Sequence, residues 1–176
     1  MPRSSRWAPP LESTGSVPTR RVLLKALALA PVGALVLPTR PAEATDYAGP
    51  EQVFEAIDRL EADVAARLDA IARALPSAQA FAGSVQVEQR RQRAERGNLR
   101  RRLGLSEVQR RDAAPSTDTS LEGLRAGQEA LVYAHAEGLP ALGDPFCVDV
   151  LAHQMVQNSR ILTVIQLWIE SEGQRD

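Results

Sequence analysis

Apolar residues recur with helical spacing along most of residues 45–176. In the first segment they follow one another at steps of three and four: Val53, Ile57, Leu60, Val64, Leu68, Ile71 and Leu75. Glu, Asp and Arg occupy most positions between them, which is typical of an amphipathic α-helix. Pro50 suits the first turn of such a helix and Pro76 its end, because proline lacks the N–H donor that a helix interior requires. The pattern predicts a first helix over about residues 50–75.

A second helix is predicted over about residues 77–103, with Ser77 as its cap and Gly104 at its end. Its inward row is partly polar: Phe81, Val85, Glu88, Gln92, Glu95, Leu99 and Leu103. Interior polar groups need partners, so Glu88 and Gln92 are expected either to pair with arginines of adjacent helices or to take part in a site. The arginines of this helix are expected to cover mostly its outer face.

Capping signals mark the starts of two further helices. Thr119 and Glu122 have the spacing of a capping box at the start of a third helix, predicted over about residues 120–138. Asp144 precedes a proline, the pattern of an N-cap and first helical turn, and opens a fourth helix over about residues 145–172.

The lengths of the connections predict how the four helices pack. Short links join the first helix to the second and the third to the fourth, whereas turn-forming residues fill a long linker before Ser120. Short links join antiparallel neighbours, so the predicted fold is all-α, an antiparallel four-helix bundle of two hairpins. Apolar residues, Trp168 among them, cover much of the fourth helix. That helix is therefore expected to be central or to contact a partner, such as a second copy of the chain.

The charges and the single cysteine limit the chemistry of this bundle. Residues 45–176 carry fifteen basic and twenty acidic side chains and no lysine. One cysteine, Cys147, excludes an intramolecular disulfide framework, a four-thiolate zinc site and a cysteine-bound iron–sulfur cluster. Cys147 falls in the first turn of the predicted fourth helix. Either the helix N-terminus lowers the pKa of its thiol, or it is a small buried residue.

Nine arginines lie between Arg90 and Arg111. One interpretation is a solvated helix face with ion pairs between residues four apart. The other is a docking surface for an acidic protein partner. Nucleic acid is not expected as the partner, because the body of the chain is acidic and no aromatic residues alternate with the arginines for base stacking.

The N-terminal segment, residues 1–44, differs from the remainder. It contains the run Thr19-Arg20-Arg21-Val22-Leu23-Leu24-Lys25 ahead of a weakly apolar stretch. This run resembles a twin-arginine (Tat) export signal, and the resemblance implies that Arg20 and Arg21 are read by the Tat translocase. Ala42 and Ala44 form a small-x-small signal-peptidase site, so cleavage is expected after Ala44. The alternatives are a disordered N-terminus or an uncleaved anchor.

The resemblance to a Tat signal implies an address outside the cytoplasm. The Tat route carries proteins that are already folded, and many of its passengers hold a metal or redox cofactor. The passenger is therefore expected to be a folded domain of a bacterial periplasm, or a secreted protein.

The two histidines of the chain suggest a metal site. His135 falls on the inward row of the third helix, and His153 follows Asp149 by four residues on one face of the fourth. Glu88 and Glu129 are the carboxylates best placed to join them in a bundle core, where facing helices bring ligands together. The simpler alternative is a core histidine and an ordinary surface pair.

The four-helix layout and two further sequence features resemble the ferritin-like group. These features are the run Glu129-Ala130-Leu131-Val132-Tyr133-Ala134-His135 and the pairing of His153 with Arg160 two turns later. The resemblance implies iron or another divalent metal in the bundle core.

These patterns lead to two hypotheses of function. The first is an exported, non-catalytic binding or accessory protein of the periplasm. The second is a ferritin-like metal-binding or redox protein with a reduced, non-standard site.

Overall fold

A computed structural model describes residues 47–106 and 114–173. This part of the chain folds into four α-helices and contains no strand: α1 Pro50–Ala74, α2 Gln79–Arg102, α3 Leu121–Gly138 and α4 Pro145–Gly173. Single 3₁₀ turns, Pro76–Ala78 and Leu139–Ala141, lie in the two short links. The prediction of an all-α, antiparallel four-helix bundle is confirmed. The Tat-like segment with Arg20, Arg21, Ala42 and Ala44 lies outside the described residues.

The helix ends follow local chemistry. Ser120, not Thr119, caps α3: its Oγ accepts a hydrogen bond from the Gly123 N–H at 3.1 Å. Asp144 caps α4, where its Oδ1 accepts from the Cys147 N–H at 3.1 Å. Beyond α2, Gly104 has a φ of 67°, a left-handed conformation that glycine adopts without strain.

Glycines of α3 allow a close approach to α1. A Cβ at Gly127 would lie 3.4 Å from Val64 Cγ2, and a Cβ at Gly138 would collide with the Val53 side chain. The residue numbers rise along α3 as they fall along α1, so the two helices are antiparallel. The same relation holds between α2 and α4, because Arg96 contacts Gln154 and Gln92 contacts Asn158.

Neighbour contacts arrange the helices around the bundle in the order α1, α2, α4, α3. Each helix is antiparallel to both of its neighbours, so α2 and α3 run in the same direction. Residues 103–120 must therefore connect one end of the bundle to the other. At the far end, Arg67 of α1 pairs with Asp118 just before α3. The chain thus forms two hairpins joined by a long crossover.

The core consists of two apolar clusters, one towards each end of the bundle. One contains Val64, Leu68, Ile71, Phe81, Val85, Leu124, Ile161, Ile165 and Trp168. The other contains Val53, Phe54, Ile57, Leu99, Leu131, Ala134, Leu142, Cys147 and Leu151. Within the described residues, no helix is long and apolar enough to cross a membrane.

Trp168 belongs to the interior and not to an exposed partner surface. It is only 9% exposed, and Phe81 meets it edge to face with 6.0 Å between the ring centroids. The apolar circumference of α4 is therefore mostly used inside the bundle. Leu167, 52% exposed, is the large apolar side chain that α4 presents to solvent in its last turns.

Candidate functional site

A layer of buried polar side chains separates the two apolar clusters. We call it the polar layer, and every member is less than 5% exposed: Glu61, Gln89, Gln92, Arg96, Arg100, Gln128, His135, Gln154 and Asn158. All four helices contribute to it. Buried polar groups are stable only when they find partners, so their contacts determine what the layer can do.

An ion pair between α1 and α2 lies at the centre of the polar layer. Arg96 Nη2 is 2.6 Å from Glu61 Oε2, and both side chains are 1% exposed. Arg96 also donates through Nε to Asp58 Oδ1 at 3.0 Å and through Nη1 to Gln154 Oε1 at 3.1 Å. Arg93 adds a second guanidinium, 3.0 Å from Glu61 Oε2. The buried charges therefore neutralise one another across the α1–α2 interface.

Amide side chains extend this network to α3 and α4. Gln154 Nε2 donates to the main-chain carbonyl of Gln92 at 3.1 Å, and Asn158 Nδ2 donates to Gln92 Oε1 at 3.0 Å. Gln128 Nε2 donates to Asn158 Oδ1 at 3.1 Å. Since each donor is on a different helix from its acceptor, the polar layer fixes how the helices line up along their axes.

His135 lies near the edge of the polar layer. Its Nδ1 is 2.7 Å from the Leu131 carbonyl, which can only accept, so Nδ1 carries the proton. Its Nε2 has no hydrogen-bond partner among the described residues. Burial lowers the pKa of His135 to about 4, and the charge of Arg96 also disfavours protonation. His135 is therefore a neutral imidazole at pH 7.

The other four residues of the predicted metal site do not gather around His135. Each is either exposed to solvent or paired with another side chain. Asp149 and His153 are exposed, and His153 Nε2 is 3.3 Å from Gln157 Nε2. Glu129 accepts from Arg125 at 3.0 Å. Within the described residues, no three His, Cys, Asp or Glu side chains form a group that could hold a metal ion.

Glu88 does not lie on the inward row where the sequence placed it. Its side chain is 24% exposed and accepts from Arg91 Nη2 at 2.6 Å. Gln89, the next residue, is buried instead. The expectation that Glu88 occupies the inward row is therefore wrong, and its arginine partner belongs to the same helix. Gln92, by contrast, is buried as predicted.

The arginines of α2 are divided between the interior and the surface. Arg96 and Arg100 are buried, and Arg100 Nη2 shares Asp58 with Arg96, at 3.2 Å from Oδ2. The expectation that these arginines mostly cover the outer face is wrong for these two and for Arg93, which pairs with Glu61. Arg110 and Arg111 lie outside the described residues. The exposed part of the predicted docking stretch is consequently smaller than the sequence suggests.

Cys147 is buried in the second apolar cluster. Burial raises the pKa of its thiol, and the neighbouring charge of Asp144 raises it further. Of the two alternatives drawn from the sequence, the structure therefore favours the small buried residue. A raised pKa keeps the thiol protonated at pH 7 and unreactive.

Two features thus stand out for function: the polar layer inside the bundle and the remaining arginines outside it. Both have to be interpreted from their own chemistry. No protein-family model matches the chain, and neither the curated proteins nor the solved structures include a match to it.

Proposed function

We propose that this chain is an exported four-helix-bundle protein of the bacterial periplasm that acts by binding an acidic partner protein and not by catalysis. The export part of the proposal is supported by the Tat-like run with Arg20 and Arg21 and by the peptidase site at Ala42 and Ala44. The binding part depends chiefly on one observation, the composition of the solvent-facing side of α2.

We call this side the α2 outer face. Its residues are exposed and recur at helical spacing: Gly83, Val87, Arg90, Arg91, Ala94 and Asn98. Val87 is 59% exposed. A Cβ at Gly83 would meet nothing within 4 Å, although a glycine inside a helix costs about 1 kcal/mol relative to alanine. Packing within the described bundle therefore does not explain why this position lacks a side chain. The glycine leaves a flat, accessible surface.

Two adjacent guanidinium groups give this surface its charge. Arg91 pairs with Glu88 of its own helix, whereas Arg90 has no ion pair among the described residues. Arginine suits carboxylates because its planar donors bind both oxygens of one group. The body of the chain carries a net negative charge, which favours docking of an acidic partner at an arginine-bearing surface such as the α2 outer face.

The experiment uses poly-L-glutamate as a probe of acidic surfaces. Binding to the purified protein is measured by isothermal titration calorimetry at 50 and 300 mM salt. The double variant Arg90→Glu, Arg91→Glu should bind about tenfold more weakly or worse, since each reversal replaces attraction by repulsion of the order of 1 kcal/mol. Added salt should weaken the binding of the unaltered protein.

A matched control carries the same change of charge on another helix. Arg59 and Arg73 are exposed on α1, so Arg59→Glu with Arg73→Glu should bind the probe as the unaltered protein does. Equal loss in both double variants would show that only net charge matters. An unaltered protein that does not bind the probe at all would contradict the proposal directly.

A ferritin-like metal protein is the second candidate, and the crossover between the two hairpins is compatible with it. Two antiparallel hairpins joined by a crossover are the layout expected from that resemblance. Elemental analysis of the purified protein distinguishes the candidates. Stoichiometric iron or manganese that is lost in both His135→Ala and His153→Ala would establish the metal protein. Metal that persists in both variants would exclude the proposed ligands.

A further inference from the structure

The two halves of α2 are attached to the bundle by different kinds of contact. In the first half, Phe81, Ala82 and Val85 are buried in an apolar cluster, and Phe81 packs on Trp168. At the end of this half, Gln86 donates to Asp69 of α1 at 2.5 Å. In the second half, residues 89–102, Leu99 is the single apolar residue that is fully buried. The inward side chains there are otherwise polar: Gln89, Gln92, Arg96 and Arg100.

Polar contacts attach a helix less firmly than apolar ones do. Each hydrogen bond of the second half replaces bonds to water and therefore adds little net stability, and desolvation offsets most of the attraction within a buried ion pair. The remainder of the bundle is packed differently, because α3 lies close to α1 through its glycines and both apolar clusters include α1, α3 and α4.

Several buried groups at this interface have no partner. Among the described residues, no hydrogen bond reaches Gln89 Nε2, Arg100 Nη1 or Glu61 Oε1. Two of these atoms belong to the second half of α2 and the third lies opposite it on α1. Each of these atoms would gain a hydrogen bond from water if the helix moved away. This hydration lowers the free energy needed to separate α2 from α1.

Just beyond this half, Leu103 and Leu105 are partly buried against the second apolar cluster, and the remaining contacts of its far end lie at the surface. Arg102 is 3.1 Å from Asp144 of α4, and its side chain is 53% exposed. Arg102 also lies over the exposed ring of Phe146 at 4.9 Å. Exposed ion pairs of this type contribute little to stability.

We propose that residues 89–102 of α2 open from the folded bundle as a local unit, hinged just after Gln86, and that this opening exposes the polar layer to solvent. The first half of α2 and the other three helices stay packed. The opening is a gate built into the fold, and it does not depend on the acidic partner proposed above.

Hydrogen–deuterium exchange of the purified protein at pH 7, followed by mass spectrometry, tests the gate. Peptides from residues 89–102 should exchange at least about tenfold faster than peptides from residues 124–134 of α3, because local opening precedes global unfolding. Equal exchange in the two segments would overturn the proposal, since α2 would then separate only when the whole bundle unfolds.

Variants test whether the contacts of the polar layer control the opening of residues 89–102. Arg96→Met leaves Glu61 with Arg93 alone and should speed the exchange of residues 89–102 further, while these peptides still exchange faster than those of α3. Adding Glu61→Leu removes the buried carboxylate that has lost its fully buried partner and should slow exchange below that of Arg96→Met. Arg91→Met, on the α2 outer face, is the matched control and should leave exchange as in the unaltered protein. Unchanged exchange of residues 89–102 in Arg96→Met would contradict the assignment of the gate to the polar layer. The comparison of segments in the unaltered protein decides the proposal even if a variant does not fold.

Discussion

Lowering the pH should destabilise the bundle through His135 in particular. Its pKa in the folded protein is about 4, against an ordinary value of 6.5, because burial disfavours the charged imidazole. Between these two values the unfolded chain binds a proton that the folded chain does not. Stability from this group is therefore complete above about pH 6.5, falls as the pH drops towards 4, and changes no further below it. The difference of 2.5 pKa units corresponds to about 3 kcal/mol.

Urea unfolding followed by circular dichroism at pH values from 7.5 to 3.5 measures this contribution. Carboxylates also titrate in this range, so the informative quantity is the free energy of unfolding of the unaltered protein minus that of His135→Gln. This difference should decrease by about 3 kcal/mol between pH 7 and pH 4. His153→Gln, altered at the exposed histidine, is measured over the same pH range as the control.

A difference between the unaltered protein and His135→Gln that stays constant with pH would refute the reasoning. It would mean that the imidazole is solvated, or that it has a charged partner, in the folded state. If the difference between the unaltered protein and His153→Gln decreased with pH instead, the effect would belong to His153 and the reasoning about His135 would be wrong. The absolute stability of His135→Gln is not decisive, because the substitution also alters packing at every pH.

The remaining predictions concern packing and export. Gly138→Ala should lower the free energy of unfolding by about 1–3 kcal/mol, because the new methyl group collides with Val53. Gly97→Ala should raise it by about 0.5–1 kcal/mol, since a Cβ there meets nothing within 4 Å and alanine favours a helix; urea unfolding measures both, and the opposite order would contradict the packing described. Replacing Arg20 and Arg21 by lysine should leave uncleaved precursor in the cytoplasm, detected by immunoblotting of cell fractions, and processed periplasmic protein in that variant would contradict Tat export.

The fold was predictable because the apolar rows of α1 and α4 are long and nearly unbroken. Such rows identify helices, and short links between them predict antiparallel hairpins. The order of helices around the bundle was not predictable. It depends on contacts such as the one between Arg96 and Glu61, which are 35 residues apart, and no local pattern indicates that separation.

The polar layer was missed in detail because polar residues do not reveal which way a helix faces. Steps of about 3.6 residues from Val85 lead to Gln89, Gln92 and Arg96, the residues that are buried. Steps of three, four and three residues from Val85 lead instead to Glu88, Gln92 and Glu95. A difference of one residue rotates a side chain by about 100° around the helix axis. Between Val85 and Leu99 no large apolar residue on the inward row corrects this error.

The same ambiguity concealed Glu61. A step of about 3.6 residues from Ile57 falls between Leu60 and Glu61, and hydrophobicity alone favours the leucine. In the structure Glu61 is fully buried and Leu60 only partly so. A buried carboxylate is tolerated there because Arg93 and Arg96 lie opposite on α2, a fact that only the packed helices reveal.

The parallel course of α1 and α4 has a practical consequence for following this protein in cells. Tyr47, at the start of α1, and Glu172, near the end of α4, lie at opposite ends of the bundle, separated by about 40 Å, the length of a 29-residue helix. Under the proposed export, a fluorescent reporter fused behind α4 would therefore lie at the end of the bundle opposite Tyr47, which follows the expected cleavage site by three residues. Such a fusion would mark the compartment that the chain reaches, and so test the proposed export, without placing the reporter beside Tyr47.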